Sequence, residues 1–153
     1  MENDDGIWNY CNNSAVRRTA RRLGQFYDDF IGPSGLKGTQ FSLMTQIVHS
    51  GEPSLKSLAD ALIMDLSALG HTLKPLVRDG LVELVADDKD RRVKRARLTA
   101  LGAERQADAR ALWQEAQGRL DAAYGADNSA QLRAALNTIA SMDLTAATRD
   151  ENK

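Results

Sequence analysis

Apolar residues recur along this chain at helical spacing in six places and crowd together at strand-like density in two. Val16, Ala20, Leu23, Tyr27 and Phe30 fall on one stripe and predict a helix over residues 14–31, with Arg17, Arg18, Arg21 and Arg22 mostly off it. Phe41, Met44, Ile47 and Val48 predict a short buried helix over residues 39–49. Ser54 is placed to cap a third helix through Ile63, whose Leu55, Leu58, Ala59 and Leu62 face inward. Asp65 caps a fourth, in which Leu66, Leu69, Leu73, Leu76 and Val77 form the apolar stripe. Ser67, His71, Lys74 and Arg78 then share the opposite face at steps of four, three and four residues. Thr99 caps a long helix carrying Leu101, Ala109, Leu112, Ala116 and Leu120, and Leu132, Leu136 and Ile139 mark a last one over residues 129–142, followed by a polar tail.

Between the fourth and fifth helices, residues 81–86 and 93–98 are short, aliphatic and separated by a charged turn, the pattern of a β-hairpin. From Lys89 to Arg97 there is one acid, Asp90, against six basic residues, in a chain whose formal net charge is -1. Positive charge is concentrated there, directly after a helix-turn-helix pattern. That placement is expected of a surface that meets phosphates and suggests the wing of a winged-helix DNA reader. The fold class is therefore mainly α with a small β-hairpin wing, a winged helix-turn-helix domain plus a helical dimerisation region. The terminal helices carry more apolar stripe than one small core needs, which makes them candidates for a dimer seam.

The remaining composition narrows the field. At 153 residues, one folding unit is expected. The near-neutral balance argues against a protein that coats nucleic acid indiscriminately, so contact with DNA should be local. The single cysteine, Cys11, allows no intrachain disulfide and no cysteine-rich zinc site, in keeping with a reducing cytoplasm. No apolar run is long enough to span a bilayer, and a soluble, intracellular protein without membrane contact is expected. His49 and His71 fall on different helices, and no nucleophile paired with a base, phosphate-cradling glycine loop or metal cluster is visible. Neither an enzyme, a cofactor nor a metal is expected.

Three stretches resemble the MarR family of winged-helix transcriptional regulators. The first is Gly35-Leu36-Lys37-Gly38-Thr39-Gln40-Phe41-Ser42-Leu43-Met44. The second runs from Ser57-Leu58-Ala59-Asp60-Ala61-Leu62 through Leu73-Lys74-Pro75-Leu76-Val77-Arg78-Asp79-Gly80-Leu81-Val82. The third joins Asp90-Arg91-Arg92 to Leu98-Thr99-Ala100-Leu101-Gly102, similar to the family's wing motif. The resemblance implies a homodimer that presents two winged domains to one face of a DNA duplex. It also implies a single unit over residues 1–153, with the winged helix-turn-helix at about residues 38–100 and dimerisation helices at about residues 8–34 and 101–146.

On this reading the fourth helix lies in the major groove, with Ser67 and His71 reaching base edges and Thr72, Lys74 and Arg78 meeting phosphates. Leu66 and Ala68 leave its first turn with few hydrogen-bonding groups, so base readout there is expected to be sparse, and Pro75 removes a backbone donor that a straight helix would use. Arg92 is the wing-tip residue for a narrow minor groove, Asp90 holds its fork, and Arg91, Lys94, Arg95 and Arg97 contact phosphates. The resemblance further implies a small aromatic or anionic effector between the dimerisation helices and the winged domain. Trp8, Tyr10, Arg18, Phe26, Tyr27, His49 and Trp113 occupy the corresponding region. The leading expectation is a homodimeric repressor on a pseudo-palindromic operator, released by such an effector. The alternatives are a thiol-based redox switch through Cys11 and a winged-helix protein-interaction module with weak DNA binding.

Overall fold

The computed structural model describes residues 5–145, apart from the side chains of Asp5, Ile7 and Trp8; the polar tail expected beyond lies outside the described residues. The order is α1 (Asp5–Tyr10), α2 (Asn12–Ile31), a 3-10 turn (Gly32–Ser34), α3 (Gly38–Ser50), α4 (Leu55–Ala61), α5 (Leu66–Arg78), β1 (Val82–Ala86), β2 (Lys94–Leu98), α6 (Ala100–Tyr124) and α7 (Ala126–Ser141). The mainly helical, hairpin-bearing architecture expected from the sequence is present. Helix α1 was not foreseen. It ends at Tyr10, and the sulfur of the next residue, Cys11, accepts the Ser14 amide at 3.4 Å and so caps α2 two residues earlier than predicted.

Each predicted cap in the helix-turn-helix region forms. Ser54 Oγ accepts the Ser57 amide at 3.1 Å, and Asp65 Oδ1 accepts the Ala68 amide at 2.7 Å. Each satisfies a backbone donor that the first turn of a helix leaves without a partner. Between these helices Ile63 takes φ +54°, held by its amide on the Asp60 carbonyl and by the Met64 amide on the Ala59 carbonyl. A β-branched residue in this left-handed region carries roughly 1–2 kcal/mol of strain that glycine would not.

Two compact units divide the chain, residues 1–116 and residues 117–153, with the boundary inside α6. The first unit therefore takes in α2 and most of α6 with the winged part. The reason is visible in the core: Ile31 from α2 and Ala109 from α6 are buried in one cluster with Met44, Ile47, Leu58, Leu69, Leu73 and Leu76. Within the predicted stripes, Val48, Leu66, Val77 and Leu101 are exposed. Helical periodicity picks out a face but not how much of its width or length is covered.

The hairpin pairs antiparallel with Val82 opposite Leu98 and Ala86 opposite Lys94. Its base is fixed to α6 at a close approach. The Thr99 hydroxyl donates to the Gly80 carbonyl at 2.6 Å and accepts the Gly102 amide at 3.0 Å, and the Thr99 amide donates to the Leu81 carbonyl at 3.1 Å. A Cβ on Gly102 would stand 1.9 Å from the Leu81 carbonyl oxygen, so only glycine lets α6 start there. The hairpin is also tied to the chain before α4: the Ala96 amide donates to the Pro53 carbonyl at 3.0 Å, and Ser54 bridges Arg95.

In the second unit, α7 follows a turn at Gly125, φ +99°, where Asn128 Nδ2 donates to the Tyr124 carbonyl at 2.8 Å. The buried Ser129 hydroxyl, then Gln117, hold the Asp121 carboxyl below its ordinary range. Tyr124, Leu136, Ile139 and Met142 are exposed in this unit.

Candidate nucleic-acid interface

The hairpin turn is organised by two aspartates. Asp87 Oδ1 accepts the amides of Lys89 and Asp90 at 2.8 and 3.0 Å, while the Asp87 amide donates to the Val93 carbonyl. This local side-chain to backbone pattern builds a tight turn from polar residues. Asp90 then takes the Arg92 fork: Nε to Oδ1 and Nη2 to Oδ2, both 3.1 Å, with the Arg92 amide also on Oδ1 at 3.1 Å. Hydrogen bonds from Arg92, side chain first and then backbone, hold the Asp90 carboxyl below its ordinary value. A guanidinium has five N–H donors and Asp90 occupies two, leaving three directed outward on a side chain that is 91% exposed. Asp90 thus holds the Arg92 fork, the pairing that the family resemblance implied, and Arg92 is held at the tip of the hairpin.

The other cations divide into two groups. The side chains of Lys89, Arg91 and Lys94 are exposed and make no ion pair among the described residues. Arg95 and Arg97 are engaged. Arg95 Nε donates to Asp87 and its Nη1 to the Glu52 carbonyl at 3.0 Å, whereas Arg97 Nε meets Glu83 at 2.8 Å across the register pair. Arg95, first, with the Asp90 and Lys89 amides, lowers the Asp87 carboxyl to about 2. Arg95 was expected at a phosphate; its bonds instead join the turn of the hairpin to the segment before α4. Composition alone could not separate these roles, because they depend on strand register and on a carbonyl 43 positions away.

On α5, Ser67, His71, Lys74 and Arg78 form the exposed outer face, as their spacing required. Arg78 forks onto its neighbour Asp79 at 2.8 and 3.3 Å, which raises the arginine and lowers the aspartate. Thr72 does not belong to this face. One residue on from His71, about 100° around the helix, it is half-buried, donates to the Ala68 carbonyl at 3.0 Å and lines a cavity, so its expected phosphate contact is withdrawn. The helix continues through Pro75 to Arg78 without a break, with the Asp79 amide on the Pro75 carbonyl. Gly70, on the outward side, costs a helix interior about 1 kcal/mol relative to alanine.

That cavity, about 730 Å³, lies within the first unit. Tyr27, Phe41, Leu62, Met64 and Trp113 supply its apolar wall, and Ser42, Thr45, His49, Thr72 and Asp28 its polar groups. Of the expected effector residues, Tyr27, His49 and Trp113 line it. Arg18 and Phe26 do not; Phe26 packs against Tyr27 and Phe30, with ring centroids 5.4 and 5.1 Å apart. Tyr10 is exposed on α1, and the Trp8 side chain lies outside the described residues. Asp28, which the sequence reading missed, accepts the Gly38 amide at 2.6 Å at the start of α3. Among the described residues, no lysine or arginine lines the cavity. Among the described residues no three His, Cys, Asp or Glu side chains converge on a metal-sized site, and no helix is long and apolar enough to cross a membrane.

A capped helix-turn-helix followed by a cationic hairpin defines a winged-helix protein. The model of the MarR family matches residues 36–94. The M. tuberculosis transcriptional regulator MosR, solved in complex with DNA, is 33% identical over 91% of this chain and 98% of its own, with a TM-score of 0.78. The transcriptional repressor CouR, bound to a 23-mer duplex, is 25% identical over 92% and 99%, with a TM-score of 0.79. A mutant MarR from E. coli, complexed with operator DNA, shares the fold at 22% identity over 90% and 99%, with a TM-score of 0.79. No curated protein sequence matches the chain. The chain belongs to the MarR family of winged-helix transcriptional regulators.

Proposed function

We propose that this chain is a homodimeric, sequence-specific DNA-binding repressor acting in the cytoplasm. Two copies of α5 enter successive major grooves of a pseudo-palindromic operator, and two hairpins reach the flanking minor grooves. The observation that carries the reading is the Asp90–Arg92 fork, which keeps an exposed guanidinium at the hairpin tip with three donors directed outward. A fixed, weakly hydrated fork suits a narrow, electronegative groove, because little rotamer freedom is lost when it binds. Ser67 and His71 meet base edges, while Lys74, Arg78, Lys89, Arg91 and Lys94 lie towards the phosphates. The exposed apolar residues of the second unit, Tyr124, Leu136, Ile139 and Met142, are the surface that a second copy covers.

Release from DNA follows from the cavity. Met64 precedes α5 and Thr72 lies within it, so a ligand against them presses on the helix that reads DNA. With aromatic walls and no lysine or arginine among the described residues that line it, the cavity favours, of the aromatic or anionic effectors expected, an uncharged aromatic one. The test is fluorescence anisotropy of the protein on duplex from its own upstream intergenic region and on a scrambled duplex, at two salt concentrations. Tight binding to the native duplex alone, persisting at the higher salt, supports the reading; equal, steeply salt-dependent binding to both refutes sequence recognition. Neutral phenols should then displace the protein more effectively than aromatic carboxylates.

A further inference from the structure

One edge of the exposed side of α5 is apolar. Leu66 is 57% and Val77 38% exposed, and Gly70, four residues after Leu66, lies on the same edge. Ile63, in the turn that leads into the helix, is 70% exposed. An isolated aliphatic on a surface signifies nothing. Here three features coincide at the end of the helix that meets DNA. Ile63 adopts φ +54°, where glycine would be relaxed, and its side chain gains no burial in return for the strain. Leu66 occupies the first turn beside Ser67, where a hydrogen-bonding residue would serve readout more directly. Gly70 has nothing within 4 Å of where its Cβ would stand, so no contact inside the protein requires glycine. A glycine on the outward edge keeps that edge low, so that another surface can approach closely.

We propose that Ile63, Leu66 and Gly70 form an apolar reading edge that contacts the 5-methyl groups of thymines in the major groove. This rests on the DNA-binding function proposed above. Thymine is the base that presents a methyl group in that groove, and apolar side chains are what distinguish it. The edge is continuous with the polar face of Ser67, His71 and Lys74, and the same unit carries the exposed cations Lys89, Arg91 and Lys94. That charge complements a polyanion. Sequence choice at the first turn of α5 is then made through methyl burial as well as hydrogen bonds.

The probe is the tightest duplex that the full-length protein selects from a randomised pool, with each thymine in turn replaced by uracil to delete a single methyl. At one or more positions in each half-site uracil should weaken binding about fourfold, the value of one buried methyl-sized group. In Leu66→Ala that penalty should disappear, which isolates the pairwise contact. Gly70→Ala and Ile63→Gly should melt no lower than the parent protein yet bind the duplex at least threefold more weakly. Uracil tolerated at every position by a protein that still binds its selected duplex overturns the proposal, as does an undiminished uracil penalty in Leu66→Ala. Parent-like affinity in both Gly70→Ala and Ile63→Gly overturns it too. If the protein selects no sequence, the DNA-binding reading itself fails and the edge falls with it.

Discussion

The hairpin and α5 are assigned to the same duplex but are built on opposite principles. In the hairpin, charge is fixed before any ligand arrives: Asp90 holds Arg92, Asp87 holds Arg95, and Glu83 holds Arg97, while Lys89, Arg91 and Lys94 stay exposed. On α5, by contrast, Ser67, His71 and Lys74 stand in solvent beside an apolar edge, and the one fork, Arg78 with Asp79, lies at the far end of the helix. A cation that is already oriented loses little freedom on binding and answers to groove width and charge, whereas a sparse face of small groups depends on the match to particular base edges. The contrast is between a rigid electrostatic contact and a discriminating one.

Both regions stand on the packing of Leu81 against Gly102, so the largest expected effect is to remove that support. Gly102→Ala places a carbon 1.9 Å from a carbonyl oxygen and should destabilise the fold by about 3 kcal/mol or more, measured by denaturant unfolding. Next, Arg92→Ala should weaken operator binding by roughly 5-fold to 150-fold at an unchanged melting temperature. Asp90→Asn keeps the arginine and loses the fork, and should cost a smaller part of that affinity. If Asp90→Asn binds like the parent, the pre-set fork has no bearing on affinity and the contrast between the regions collapses.

How far these two regions could be read from sequence differs for the same physical reason. The Asp90-x-Arg92 spacing is local, and the fork followed from the family resemblance carried by those residues, not from the spacing by itself. Helical phase was local too, and it placed Ser67, His71, Lys74 and Arg78 together. Register and distant carbonyls are not local: Arg95 and Arg97 read as phosphate contacts until their pairing with Asp87, Glu52 and Glu83 is seen. Thr72 was grouped with Lys74 and Arg78 at the phosphates, although it lies two residues before Lys74, about 200° around the helix. The left-handed Ile63 left no trace at all, since nothing in an aliphatic residue announces a positive φ.

A smaller effect tests the helix. His71→Ala should reduce affinity several-fold for the selected operator and hardly at all for unrelated duplex, since it removes the base contact proposed for it and leaves the proposed phosphate contacts in place; equal loss on both would make His71 a phosphate neighbour. The smallest expected effect is on stability against pH. Asp87 titrates at about 2 in the folded protein against an ordinary 3.8, so the stability it contributes is fully present above 3.8 and is lost as pH falls through about 2. Asp87→Asn should flatten that part of the acid limb in melting curves recorded from pH 5 to pH 2. An unchanged slope would mean that Arg95 and Asp87 do not hold the turn in solution.

The bonds from Ala96 to Pro53 and from Arg95 to Glu52 have a metric consequence. They lash the hairpin to the segment that immediately precedes α4, so the winged part of the chain behaves as a caliper with jaws at the Arg92 tip and the Ser67 end of α5. A caliper locked at one opening measures base-pair count along the duplex axis. On the docking proposed above, the stretch of operator between the minor-groove and major-groove contacts is intolerant of a single inserted base pair, whatever its sequence.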